Sequence, residues 1–220
     1  MPRSAAVRDV FAGGSRIALA TLTAPILRRR YNRWGATDSE VAASIPGDEL
    51  VPDPLLGYTR AISIGAPPAQ VWPWLVQIGH GRGGLYSYDG LENLARCDIH
   101  SVDEILPECQ DLAVGDLIRL GPPGYPCFRV AALEALQSLV LVGADPAEPN
   151  LAATADSPGG VATWQWQLRP LPAGGTRLLV RQRPTYPRSM SLMWHVVEPV
   201  GFVMEWRMLR GIAERAERAG

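Results

Sequence analysis

Two glutamates near the C-terminus are the residues best placed to do chemistry. From about Met193 to Ala219 the apolar residues recur with helical spacing. At about 100° per residue, Val197, Val200, Met204, Met208 and Ile212 fall along one side. Glu198 and Glu205 are seven residues apart, so two turns nearly eclipse them, and both lie inside that apolar arc. A carboxylate in such a place must be hydrogen-bonded, paired with a cation, or protonated with a raised pKa. Facing a cavity, Glu205 or Glu198 is a candidate catalytic acid–base group or polar ligand contact. Paired with an arginine, either is structural. Both alternatives stand at this level.

Other reactive residue types form weaker patterns. Gly79-His-Gly-Arg-Gly-Gly84 follows a helical stretch and matches neither the dinucleotide fingerprint nor a P-loop, so it reads as a turn whose glycines let the backbone approach a cavity mouth. Cys97 and His100 have i, i+3 spacing without a second ligand pair, so no metal is expected. No serine lies in a Gly-x-Ser-x-Gly elbow, which leaves an acyl-enzyme without support. Cys97, Cys109 and Cys127 form an odd set, as expected of reduced thiols in a cytoplasmic protein. Arg177, Arg181 and Arg183 share a strand face and read as solvated, or as partners of a buried acid.

The elements that must position these residues are antiparallel strands and a few helices. Tyr58–Ile64 alternates as a half-buried strand and runs into a proline-opened amphipathic helix carrying Val71, Trp74, Leu75 and Ile78. Asp89 and Ser101 each read as a helix N-cap. Strands are expected over 116–120, 127–133 and 138–142. The loop of 144–160, with Leu151, is long enough to be mobile or a lid. The clearest alternation is Thr163-Trp-Gln-Trp-Gln-Leu168, with Trp164, Trp166 and Leu168 on one side, and 177–183 pairs back on it.

The chain has 220 residues, 47% hydrophobic and 20% charged, which describes a globular protein with a substantial core. A net charge of -1 gives no global field to recruit nucleic acid or an anionic membrane. The arginines are unevenly placed, however: Arg3, Arg8, Arg16, Arg28, Arg29, Arg30 and Arg33 crowd the first segment. That segment reads as helical, interrupted at Gly13-Gly14 and Pro25. Its apolar run Ile17–Leu27 is too short to span a bilayer, which takes roughly 20 residues, and suits docking on the domain, on a partner or peripherally on a membrane. Thr37-Asp-Ser-Glu40 is a capping box, and Glu49–Pro54 reads as a linker.

From about Asp53 onward the chain resembles the START-like superfamily, also called the polyketide cyclase, pollen-allergen and lipid-transfer (SRPBCC) superfamily. The resemblance rests on Ile62-Ser-Ile-Gly-Ala-Pro-Pro-Ala-Gln-Val-Trp-Pro-Trp-Leu75, on the closing helix, and on Gln77 to Leu94 and Asp98 to Ser101, which are similar to a bacterial branch. It implies an α+β helix-grip fold: a curved antiparallel sheet wrapped around a long C-terminal helix. Residues 1–52, a helical extension and linker by their own pattern, lie outside the match. It also implies a hydrophobic cavity for a lipid-, sterol- or polyketide-like ligand, in a carrier, a sensor or a cyclase-type enzyme, and no cofactor. Trp74, Tyr86, Tyr88, Trp164, Trp166, Phe202, Met204 and Met208 are the expected lining residues, because apolar bodies with a few polar handles suit such a pocket.

Overall fold

The computed structural model describes residues 3–148, 153–154, 157 and 160–218. The lid expected around Leu151 and the side chains of Arg3 and Arg8 lie outside that set.

Six antiparallel strands form one sheet. They are β1 (Tyr58–Ile64), β2 (Leu117–Arg119), β3 (Cys127–Glu134), β4 (Ser138–Ala144), β5 (Val161–Pro170) and β6 (Thr176–Thr185), in the order β1-β6-β5-β4-β3-β2. Register fixes which side chains share a face. Arg60 lies opposite Val180, Val180 opposite Trp166, and Trp166 opposite Leu139. The period of two then places Tyr58, Ile62, Leu178, Gln182, Trp164, Leu168 and Leu141 on that same inner face. A register shift between Val130 and Ala132 breaks the ladder in β3, and bulges of this kind bend a strand.

The helices close the inner face. They are α1 (Arg3–Asn32), α2 (Asp38–Ala42), α3 (Pro68–Val76), α4 (Asp89–Leu94) and α5 (Ser191–Arg218). Pro67 and Pro68 open α3, where a missing N–H costs nothing, and Val71, Trp74 and Leu75 are buried from it. Met208, Leu209, Ile212 and Ala216 of α5 meet them and the inner strands in one contiguous core.

The outer face is covered by the segment expected to be extension and linker. Thr37 and Glu40 form the capping box of α2. Arg177 grips both oxygens of Glu40 at 2.8 Å, and that guanidinium holds the Glu40 carboxyl down at about 2. Arg181 is buried, not solvated: it donates to Asp48 at 2.6 Å, to the Ala43 carbonyl at 3.0 Å and to Thr59 at 2.9 Å. Arg183 donates to the carbonyls of Val51 and Pro52. Residues 37–52 are thereby fastened to the sheet.

Three local expectations are corrected. Asp89 is the first residue of α4, not its cap; its carboxylate accepts from the Ser101 N–H and hydroxyl at 2.7 and 2.6 Å. Ser101 is spent on that bond and starts no helix; only the turn Pro107–Cys109 follows. The first segment is one unbroken helix through Gly13, Gly14 and Pro25. Packing overrides the poor propensity, since a Cβ on Gly13 would collide with Leu91 and the Tyr88 ring. Asp9–Asn32 is consequently 24 residues, long and apolar enough to cross a membrane by length and composition.

Candidate functional site

Both eclipsed glutamates are buried, and each is held by an arginine from another element. Arg60 on β1 donates Nη1 to Glu205 Oε2, and Gln182 on β6 donates to Oε1 at 2.7 Å. Arg60 Nε reaches the Tyr31 carbonyl at 2.9 Å, so one side chain joins α1, β1 and α5. The guanidinium lies between the rings of Tyr58 and Phe202, 4.8 and 5.3 Å from their centroids, a geometry that stabilises a desolvated cation. Burial pushes the Tyr58 hydroxyl above its ordinary range. One helical stretch earlier, Glu198 accepts from Arg28 at 2.5 and 3.0 Å and from Asn32 at 2.5 Å. The structural alternative for these acids is therefore realised in their contacts.

Open space lies at one end of the grip. A cavity of about 480 Å³ opens between the β3–β4–β5 ends and the first turns of α5. Phe128, Ala144 and Ala162 line one side, and Met193, Trp194 and Val197 the other. Asp145 is the carboxylate at its rim, and its Oδ1 is occupied by the N–H groups of Ala147 and Glu148 at 2.8 and 3.3 Å. The Trp194 indole N–H is buried without a partner among the described residues, although its ring stacks on Tyr186 at 5.0 Å. One layer below, Phe128 packs on Trp164 at 5.6 Å and Trp164 on Trp166 at 5.0 Å; both of these indole N–H groups are also buried and have no partner among the described residues. An apolar container with idle donors suits a molecule that is mostly hydrocarbon and carries one acceptor.

The expected lining residues divide into two groups. Trp74, Tyr86, Trp164, Trp166 and Met208 lie in the main core. Tyr88, Phe202 and Met204 lie on the opposite side of α5, packed with Ala20, Ile17 and Tyr31 of α1. Around the cavity, Val197 lies on the apolar arc read from the sequence and Trp194 is among the tryptophans the sequence offers as lining, whereas Phe128 was missed, although it shares parity with Val130. Arg60 was missed too, although its parity with Ile62 and Ile64 marks it as inward-facing.

Elsewhere, Asp98 sits between His100 at 3.0 Å and His80 at 3.5 Å, and hydrogen bonds from His100 and then His80 lower its pKa. Among the described residues no group of His, Cys, Asp or Glu is arranged to hold a metal ion. The glycine loop turns back on itself through Gly79 and Gly84 and packs against Ser101, away from the cavity. Glu92 is buried with no partner for its Oε2 among the described residues, and burial, with Asp89 nearby, raises its pKa to about 8.

No protein-family model matches the chain, and no curated protein does. Solved structures do. A protein from Nitrosomonas europaea is 15% identical, with 81% of this chain and 100% of that one covered and a TM-score of 0.47. A protein from Mesorhizobium loti is 19% identical over 75% and 99% of the two chains, with a TM-score of 0.44. CalU16 from Micromonospora echinospora is 15% identical over 74% and 84%, with a TM-score of 0.36. These likenesses assign neither a ligand nor a reaction.

Proposed function

We propose that this chain is a START-like protein that binds a small hydrophobic molecule, lipid-, sterol- or polyketide-like, as a carrier or sensor. The observation that carries the reading is the cavity of about 480 Å³ with apolar walls and the idle indole N–H of Trp194. That volume suits a compact ligand with a carbonyl or similar acceptor. A cyclase- or dehydratase-type reaction, with Glu205 or Glu198 as general acid or base, comes second. Both carboxylates are held by arginines, and neither is among the described residues lining the cavity.

Titration with fluorescent fatty acids and aromatic polyketides, followed by displacement with unlabelled compounds, tests the binding reading. Val197→Trp should fill the cavity and weaken binding by at least about tenfold, the effect of losing one buried side chain's worth of contact. Saturable binding unchanged by Val197→Trp would place the ligand elsewhere. Absence of binding across the panel would remove the reading.

A further inference from the structure

Helix α1 carries apolar residues on two opposite sides, yet only one of those sides is covered. At about 100° per residue, Gly13, Ile17, Ala20, Ala24 and Tyr31 cluster on one side. Ile17, Ala20 and Tyr31 pack with Tyr88, Phe202 and Val203. Phe11, Leu19, Leu22 and Ile26 fall within an arc of about 80° on the opposite side. They stand bare: Leu22 is 80% and Ile26 85% exposed. Only 11% of the helix's most apolar window is buried in the protein. A stripe this long on a water-facing helix needs an occupant.

Charge says which occupant. Between Asp9 and Asp38 the chain holds Arg16, Arg28, Arg29, Arg30 and Arg33 and no acid. Arg28 is taken by Glu198 and Arg33 by Asp38. Arg29 and Arg30, exposed at the end of the stripe, make no ion pair among the described residues. A second copy laid on the stripe through residues 10–32 of its own α1 would bring Arg16, Arg28, Arg29 and Arg30 and no acid from that stretch, so self-pairing is repulsive. An anionic surface with an apolar interior complements both features. Crossing the bilayer instead would pull Arg16 from the Tyr88 hydroxyl at 3.0 Å and Arg28 from Glu198 at 2.5 Å. Lying in the interface keeps both.

We propose that α1 is a membrane-docking element that rests in the plane of an anionic phospholipid bilayer, with Phe11, Leu19, Leu22 and Ile26 immersed and Arg29 and Arg30 among the headgroups. This goes beyond the cavity reading and does not depend on it. Flotation of the full-length protein with vesicles tests it. The protein should float with phosphatidylglycerol–phosphatidylcholine vesicles and not with phosphatidylcholine alone, and rising salt should weaken the association. Leu22→Glu with Ile26→Glu should abolish flotation. Arg29→Ala with Arg30→Ala should lower partitioning about 30-fold, at roughly fivefold per arginine. These side chains are exposed, so the variants should keep the wild-type melting temperature. The proposal is overturned by failure to float, by flotation indifferent to the two glutamates, or by equal binding to neutral vesicles. Resistance to alkaline carbonate would overturn it in favour of a spanning helix. Loss of a dimer in the glutamate variant, without lipid binding by the wild type, would overturn it in favour of a second copy.

Discussion

Removing Arg60 should damage this protein about as much as truncating a large, fully buried hydrophobic residue. The side chain is 1% exposed, and among the described residues Glu205 is the acid paired with it. Arg60→Met leaves Glu205 with Gln182 as its partner and a negative charge in a dry interior, and it also frees the Tyr31 carbonyl. Glu205→Leu does the reverse, leaving the guanidinium between two aromatic rings with no counter-charge. Breaking one half of a buried pair costs about 3–5 kcal/mol. For a chain of this size that lowers the melting temperature by roughly 10 °C. The double variant Arg60→Met, Glu205→Leu leaves no buried charge, so it should recover about 2 kcal/mol or more relative to the sum of the singles. Thermal and urea unfolding of the four proteins measure this directly. Two cheap single variants with an additive double would refute the reasoning, because the pair would then be carrying no net charge compensation.

Two further outcomes follow from local geometry. Glu92 titrates at about 8 in the folded protein because it is buried, against roughly 4.3 in an unfolded chain. The folded state thus holds the extra proton between those values, and stability falls as pH rises through that window, by at most about 1.4 kcal/mol per unit. Glu92→Gln has no proton to lose, so its melting temperature should exceed the wild type's at pH 8 and converge on it near pH 5. Parallel curves would show that the carboxyl is not held neutral. Gly13→Val should push Leu91 and Tyr88 away and loosen α1 at a cost of about 1–3 kcal/mol, read by melting temperature and by proteolysis within α1. A wild-type melting temperature would deny the close contact.

The sheet was legible because its signal is period two. Tyr58–Ile64 has the expected bounds, and the tryptophans of β5 face inward as their alternation requires. The long C-terminal helix was legible for the same reason at period 3.6. What the sequence concealed was pairing across distance. Periodicity marks Glu205 as misplaced among apolar residues, yet it cannot say that Arg60, 145 positions earlier, answers it. Arg181 read as solvated because its partner Asp48 sits in a proline-bounded stretch with no pattern of its own. The open space beside α5 was hard to foresee for a related reason. Aromatic residues signal burial, and at the α3 end of α5 burial became solid core. The space was left beside Ala144 and Ala162, residues too small to announce themselves.

The two sides of α1 have opposite roles, and this dictates how each must be probed. Its covered side is part of the domain. Arg28 and Asn32 are the hydrogen-bonding partners of buried Glu198, and the Tyr31 carbonyl holds Arg60 in place for Glu205. Cutting α1 away would strand buried Glu198 and remove the carbonyl that steadies Arg60, and loss of lipid binding in such a truncation would report unfolding as readily as loss of a docking surface. The bare stripe touches none of these groups. Charge placed at Leu22 and Ile26 therefore alters what the helix presents to a bilayer and leaves what it presents to α5 intact, so the interfacial and structural roles of one helix can be read separately.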